Sequence, residues 1–267
     1  MEREGEDPLG APESIEIGGV RIAYRHRAAA EGQPTIQWLG GWRSDMRGGK
    51  ALELDALAAE RGWGMLRHDY SGHGESGGSI EDGTISSWVD QSLAILDRAG
   101  TRGPVLLAGS SMGAWIALRM VERMHERGDN ERLAGLLLIA PAPDFVTELM
   151  EPLGDADREA LERDGRFLEH SDYSPEPNVW TAEFLEDGRR NRTMTGPLDL
   201  PCPAHIIQGT ADEEVPLMHG EKLFSLMADA DAAITIVRGG DHRMSRSQDL
   251  SLIRSIASQM LERSVDA

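Results

Sequence analysis

Five residues, Gly109-Ser110-Ser111-Met112-Gly113, constrain this chain more than any other stretch, because of what flanks them. Upstream lies a short apolar run, Pro104-Val105-Leu106-Leu107-Ala108, and downstream Ala114-Trp115-Ile116-Ala117-Leu118 continues at helical spacing to Met124. The pattern predicts a strand, a tight turn and a helix, with G-x-S-x-G at the turn. A serine on so sharp a bend has a strained backbone, and only glycine fits two positions to either side. The bend lifts the hydroxyl above the sheet edge. It also aims the next N–H, that of Met112, at an oxyanion developing near the helix N-terminus. Ser111 has glycine on both sides at that spacing and Ser110 does not, so Ser111 is the candidate nucleophile.

In a chain with 30 glycines such a turn can arise by chance, so its companions decide the matter. A serine nucleophile needs a general base, and the base needs an acid that fixes its tautomer. In hydrolases built on this turn they follow in the order Ser, Asp or Glu, His. Residues 204–209 predict a strand that runs into Thr210-Ala211-Asp212-Glu213-Glu214-Val215-Pro216. Residues 233–237 predict another, running into Gly239-Gly240-Asp241-His242. Both candidates fall just past the carboxyl end of a strand, where open α/β sheets bind their ligands. His242 is the candidate base, with Asp241 beside it read as a turn residue. Asp212 is the candidate acid, with Glu213 and Glu214 as neighbours read as solvated charges. His68 and His73, in a glycine-rich loop, and His205, within a strand, suit structural roles instead.

A chain of 267 residues suits one large domain. Apolar runs are far shorter than the roughly 18 residues of a membrane span, so stable membrane insertion is not expected. A net charge of −19 disfavours nucleic acid and anionic membranes as partners. Cys202 is the single cysteine, so an internal disulfide and a cysteine cluster for zinc are excluded. It reads as a small, partly buried thiol between two prolines. The acidic start, Met1-Glu2-Arg3-Glu4-Gly5-Glu6-Asp7, lacks the basic and apolar regions of a secretory signal, and cytoplasmic location is the expectation.

Strands are predicted at 14–20 and 21–25, joined around Gly18-Gly19, and at 35–39, 63–67, 104–108, 135–140, 204–209 and 233–237. Helices at 50–61, 84–98, 114–124 and 247–262 alternate with them, which implies a mostly parallel sheet covered on both faces. The alternation breaks between Pro141 and Leu200. That stretch shows helix-like pieces at 144–150, 156–163 and 179–189 without a clear strand, and is too long for a plain loop.

These features resemble the α/β-hydrolase superfamily along essentially the whole chain. Leu39-Gly40-Gly41-Trp42 is similar to its oxyanion turn. His68-Asp69-Tyr70-Ser71-Gly72-His73-Gly74-Glu75-Ser76 is similar to its D-x-x-G-x-G-x-S loop. Gly209-Thr210-Ala211-Asp212-Glu213-Glu214-Val215-Pro216 is similar to its acid loop, which favours Asp212 over its neighbours. Trp42-Arg43-Ser44-Asp45-Met46, Gly49-Lys50-Ala51-Leu52 and Gly240-Asp241-His242-Arg243-Met244 further resemble the subgroup of mitochondrial palmitoyl-protein thioesterases and acyl-glucuronide esterases, with bacterial relatives.

The resemblance implies an α/β-hydrolase fold: a mostly parallel eight-stranded sheet with helices on both faces, residues 1–140 and 200–267 as core, and 141–199 as a small helical cap. It implies a Ser111–His242–Asp212 triad with the N–H groups of Met112 and Trp42 as oxyanion hole. No metal or organic cofactor is called for. Arg43, Phe145 and Trp180 are candidate substrate-binding residues, and Met150, Phe167, Tyr173, Phe184 and Met194 are further cap residues that can line an acyl pocket or form the cap's own core. The expected activity is hydrolysis of a small-molecule carboxylic ester, with acyl-thioester hydrolysis as the alternative and a non-catalytic ligand-binding role as the remote one. Oligomeric state is left open.

Overall fold

Alternating apolar and polar residues near the start of the chain, and unbroken apolar runs later, sort the strands into a sheet edge and a sheet centre. A computed structural model describes residues 7–265, apart from 102, 151–152, 172–173 and 229. In chain order the elements are β1 (Glu13–Ile17), β2 (Val20–Arg27), β3 (Thr35–Leu39), α1 (Gly49–Arg61), β4 (Gly64–His68), α2 (Ile85–Arg98), β5 (Val105–Ser110), α3 (Met112–Glu126), β6 (Leu133–Ile139), α4 (Phe145–Glu148), α5 (Asp155–Asp164), β7 (Arg166–Ser171), β8 (Ser174–Thr181), α6 (Ala182–Arg190), β9 (Ala204–Gly209), α7 (Leu217–Ser225), β10 (Ala232–Val237) and α8 (Ser247–Val265).

The main sheet has eight strands in the order β1-β2-β4-β3-β5-β6-β9-β10. β1, β2 and β4 pair antiparallel, and every other pairing is parallel. The β1–β2 hairpin turns on Gly18 and Gly19, both at positive φ (59° and 80°), as a two-residue turn with the right twist requires. Along β5 and β6 alternate residues enter different cores. Leu107, Leu136 and Leu138 pack with α2 and α3, whereas Leu106, Leu137 and Ile139 pack with α1 and α8. That division explains the unbroken apolar runs at 105–108 in β5 and 136–139 in β6. Local signals place the helix ends as well. Thr84 and Ser87 cap α2 reciprocally, and Gly62 closes α1 at a left-handed φ of 71°.

The stretch between β6 and β9 departs from the sequence expectation. It holds α4, α5 and α6 but also an antiparallel hairpin, β7–β8, so Val179 to Thr181 finish a strand instead of starting a helix. Trp180 and Phe184 are four residues apart, which reads as one helix face. Here Trp180 lies one residue before the end of β8, opposite Phe167, and Thr181 Oγ1 accepts from Phe184 N at 3.1 Å to start α6. The hairpin buries Phe167 and Trp180 while Leu168 stays exposed.

Two buried carboxylates tie this stretch to the core. Asp187 accepts from Ser86 N (2.9 Å) and Ser86 Oγ (2.7 Å) in the first turn of α2, a favourable place for negative charge. Asp144, fully buried at the start of the stretch, accepts from the N–H groups of Thr193 and Met194 near its end, at 2.8 and 2.7 Å. Asp144→Ala orphans both donors and is expected to cost about 2–5 kcal/mol. Urea unfolding with Asp144→Asn as the milder companion checks this, and a loss under about 0.5 kcal/mol would contradict it.

Candidate active site

After β3 the chain runs to β4 on one side, then crosses to β5 on the other, so the strand order reverses between β3 and β5. In open α/β sheets the crevice forms at such a switch point, beyond the carboxyl ends of the strands. Ser111 follows β5 there, and the Gly40–Gly41 turn follows β3. Ser111 has φ 55° and ψ −121°. It is held by its N–H donating to Ile139 O (3.0 Å) and its carbonyl accepting from Ala114 N (3.0 Å) and Ala142 N (3.2 Å).

The flanking glycines are steric necessities. A Cβ on Gly109 would lie 2.4 Å from Gly113 O, and one on Gly113 would lie 2.1 Å from Leu39 O. Arg43, Ala140 and Met244, in the turns around the serine, also have positive φ (55°, 44° and 45°). Strain concentrated at one sheet edge is typical of a working site.

The structure brings Ser111, His242 and Asp212 together. His242 Nε2 lies 2.9 Å from Ser111 Oγ, and His242 Nδ1 lies 2.9 Å from Asp212 Oδ2. Asp212 is buried and aimed by four groups: the N–H groups of Glu214 (3.1 Å) and Val215 (2.7 Å), Gln208 Nε2 (3.1 Å) and the histidine. Asp241 is a turn residue, its Oδ1 accepting from Met244 N at 3.0 Å. Glu214, read from sequence as a solvated charge, is exposed, with its Oε2 3.6 Å from His242 Nε2.

The turn carrying Trp42 is braced from below. Buried Asp69 accepts from Met46 N and Glu75 N, both at 2.7 Å, joining the turn after β3 to the glycine-rich loop. Burial raises the Asp69 pKa, and those two N–H donors oppose the rise. A Cβ on Gly74 would lie 2.2 Å from the Asp69 carboxylate, which is why that loop needs glycine there. Gly41 packs on the serine turn, its virtual Cβ 3.3 Å from Ser110 O. Met112 opens α3, so its N–H has no acceptor within the helix.

A cavity of about 590 Å³ opens beside Ser111. Among the sequence-predicted residues, Trp42 and Arg43 line it together with Ser111 and His242. Phe145 and Trp180 lie elsewhere, in a packed aromatic cluster. There Trp42 stacks on Trp180 (4.6 Å between centroids), Trp180 stacks on Phe184 (5.4 Å) and Phe145 sits 5.7 Å from Trp180. Trp42 Nε1 also donates to Asn178 Oδ1 at 3.1 Å, linking the β7–β8 hairpin to the turn after β3. Tyr173 lies outside the described residues. Sequence reasoning missed Trp38, Asp45, Lys50, Asn178 and Arg243 on the cavity wall. Asp45, Lys50 and Arg243 lie within the motifs quoted for the subgroup resemblance, whereas Trp38 and Asn178 arrive through the fold.

Four other histidines, His68, His73, His205 and His219, lie away from the cavity wall. His68 is fully buried, which pushes its pKa down to about 3. His73 Nδ1 is 3.1 Å from Ser71 O, His205 Nε2 is 2.8 Å from Thr235 Oγ1, and His219 Nε2 is 3.0 Å from Pro143 O. Burial pushes the Cys202 thiol up to about 12, so it is inert as a nucleophile. Among the described residues no helix is long and apolar enough to cross a membrane.

With this geometry in hand, known proteins provide a comparison. Residues 38–251 match the model of the "Alpha/beta hydrolase family". The mitochondrial palmitoyl-protein thioesterase ABHD10 of mouse is 28% identical over 221 residues, covering 82% of this chain and 72% of that protein. The solved structure of mouse alpha/beta hydrolase domain-containing protein 10 superposes with a TM-score of 0.83 at 25% identity, covering 95% of this chain and 99% of that one. The crystal structure of a candidate hydrolase from Agrobacterium vitis S4 has a TM-score of 0.89 and 49% identity, covering 94% and 97% of the two chains. The strand order, the strained serine turn and these matches agree, and the chain belongs to the alpha/beta hydrolase family.

Proposed function

We propose that this protein is a serine hydrolase that cleaves carboxylic esters through a covalent acyl-enzyme. The observation that carries the reading is the unbroken line from Asp212 through His242 to Ser111, with 2.9 Å at each step. Ser111 Oγ attacks the acyl carbonyl as His242 Nε2 takes its proton, and Asp212 holds the other ring N–H and stabilises the imidazolium. The N–H groups of Met112 and Trp42 receive the oxyanion. The imidazolium then protonates the departing alcohol. Water, activated by the same histidine, releases the acid and restores Ser111. The reaction as written requires no metal or organic cofactor.

Residues 141–199 serve as the cap in this reading, with the Trp42–Asn178 hydrogen bond and the Trp42–Trp180 stack as its contacts with the oxyanion turn. A second reading, thioester hydrolysis, is supported by the name of the mouse relative. Sulfur in the leaving group changes none of the roles above.

The two readings separate in kcat/KM for matched esters and thioesters of short and long acyl chains, with Ser111→Ala as control. Short-chain esters are expected to lead. Eleven of the sixteen residues that line the cavity have polar or charged side chains, and Trp180 and Phe184 are packed in the aromatic cluster instead of lining it. A strong preference for long-chain thioesters would overturn this ordering, and the aromatic cluster would then have to part to accept the chain.

A further inference from the structure

The triad occupies only part of the cavity. Another wall is the start of α1, where Gly48, Gly49 and Lys50 line the space together with Arg243 and Ser245. Gly48 occupies the N-cap and gives α1 no side-chain cap, and a methyl built on Gly49 would meet nothing within 4 Å. The first-turn N–H groups of this 13-residue helix have no acceptor within the helix, and Gly49 and Lys50 line the cavity at the positive end of the helix dipole.

Lys50, Arg243 and Trp38 line the same cavity. Lys50 Nζ donates to the carbonyl oxygen of Arg243, which holds its charge beside the residue that follows His242. Burial, with Arg243 repelling, pushes the Lys50 ammonium down to about 8, although Asp241 and Asp249 offset part of this. An anion reaching it would stabilise its charged form. Trp38 also lines the cavity. It is 3% exposed, and its Nε1–H has no acceptor among the described residues. That nitrogen lies towards Gly40 and Ser44, on the turn that rims the cavity.

Two carboxylates share the wall. Asp45 is engaged locally, its Oδ1 accepting from Arg47 N at 2.7 Å. Glu214, 3.6 Å from His242 Nε2, repels an anion placed on the histidine itself and so directs it towards α1.

We propose that the start of α1, with Lys50, Arg243 and the Trp38 indole, is a subsite for a phosphate carried by the leaving group, so that preferred substrates are acyl esters of phosphorylated alcohols. The inference rests on the ester-hydrolase reading above. Backbone N–H groups, an ammonium, a guanidinium and an indole N–H exceed what a planar carboxylate can engage, whereas a tetrahedral dianion presents three oxygens to them. In the reaction the Ser111 Oγ–acyl bond forms and the bond to the alcohol oxygen breaks. The serine proton passes through His242 to that oxygen, and the phosphate leaves intact on the alcohol.

The test is kcat/KM for acetyl esters of ω-hydroxyalkyl phosphates of increasing chain length, against equally long esters ending in a hydroxyl or a carboxylate. At the best length the phosphate ester is expected to exceed the hydroxyl ester about tenfold or more, mainly through KM, as one charge-assisted hydrogen bond would give. Inorganic phosphate should compete with the neutral ester. Lys50→Met should erase the preference and Lys50→Arg should keep most of it; if Lys50→Met does not fold, Arg243→Gln and phosphate inhibition of the unaltered protein carry the test. Equal Ser111-dependent turnover of all three series would overturn the subsite while the ester reading stands. A carboxylate ester matching the phosphate ester would overturn the assignment to phosphate. If no ester showed Ser111-dependent turnover, the ester reading itself would fall.

Discussion

Ser111→Ala is expected to lower kcat by about 10⁴–10⁶, leaving only what substrate binding and the oxyanion donors supply. The size follows from the geometry. Ser111 Oγ is the one atom that His242 Nε2 can activate at 2.9 Å, and removing it removes the covalent route altogether. Stability should change little, because the backbone bonds of residue 111 to Ile139, Ala114 and Ala142 do not involve the hydroxyl. A serine-directed fluorophosphonate gives the cheapest readout: the unaltered protein should label and the variant should not. Absence of labelling in both would sink the triad mechanism and favour a non-catalytic binding role on the same fold.

A second large effect is expected where no chemistry occurs. Gly113→Ala puts a Cβ 2.1 Å from Leu39 O and 2.5 Å from Gly40 O, backbone atoms that no rotamer change can move. Either α3 retreats from the sheet or the end of β3 shifts. The second path drags Gly41 and Trp42 away from the serine. Overpacking of this kind costs about 1–3 kcal/mol in stability. Displacing even one oxyanion donor costs about 10²–10³ in kcat. Gly196→Ala is the control, since a Cβ there meets nothing within 4 Å. Thermal unfolding and ester turnover of the two variants check the claim. Activity of Gly113→Ala within about twofold of the unaltered protein would show that the oxyanion turn is not held by this contact.

The order of elements was readable because each signal was local. The hairpin at Gly18-Gly19 and the apolar runs of β5 and β6 each sit within a few residues of what they specify. The β7–β8 hairpin was not readable, since Trp180 and Phe184 match a helical spacing and only the Phe167–Trp180 pairing reveals the strand. Such cross-strand contact belongs to two separated segments. Glu214 is exposed, as a solvated charge should be, yet its Oε2 lies 3.6 Å from His242 Nε2, and nothing in the local pattern distinguishes it from Glu213 in this.

By itself the sequence determined the eight strands of the main sheet, the helices α1, α2, α3 and α8 though not α7, the serine at the glycine-flanked turn, and an acid and a histidine after the last two strands of that sheet. Those features follow from periodicity, from glycine's steric freedom and from chain order, all of which act over short distances. Tertiary structure alone decided the reversal between β3 and β5, the 2.9 Å contacts of His242, and the walls of the cavity. Lys50 and Arg243 are 193 positions apart, yet a hydrogen bond joins them at the cavity wall. Packing α1 and α8 on the same face of the sheet brings the ends of these segments together, and contacts at that separation leave no imprint on local spacing.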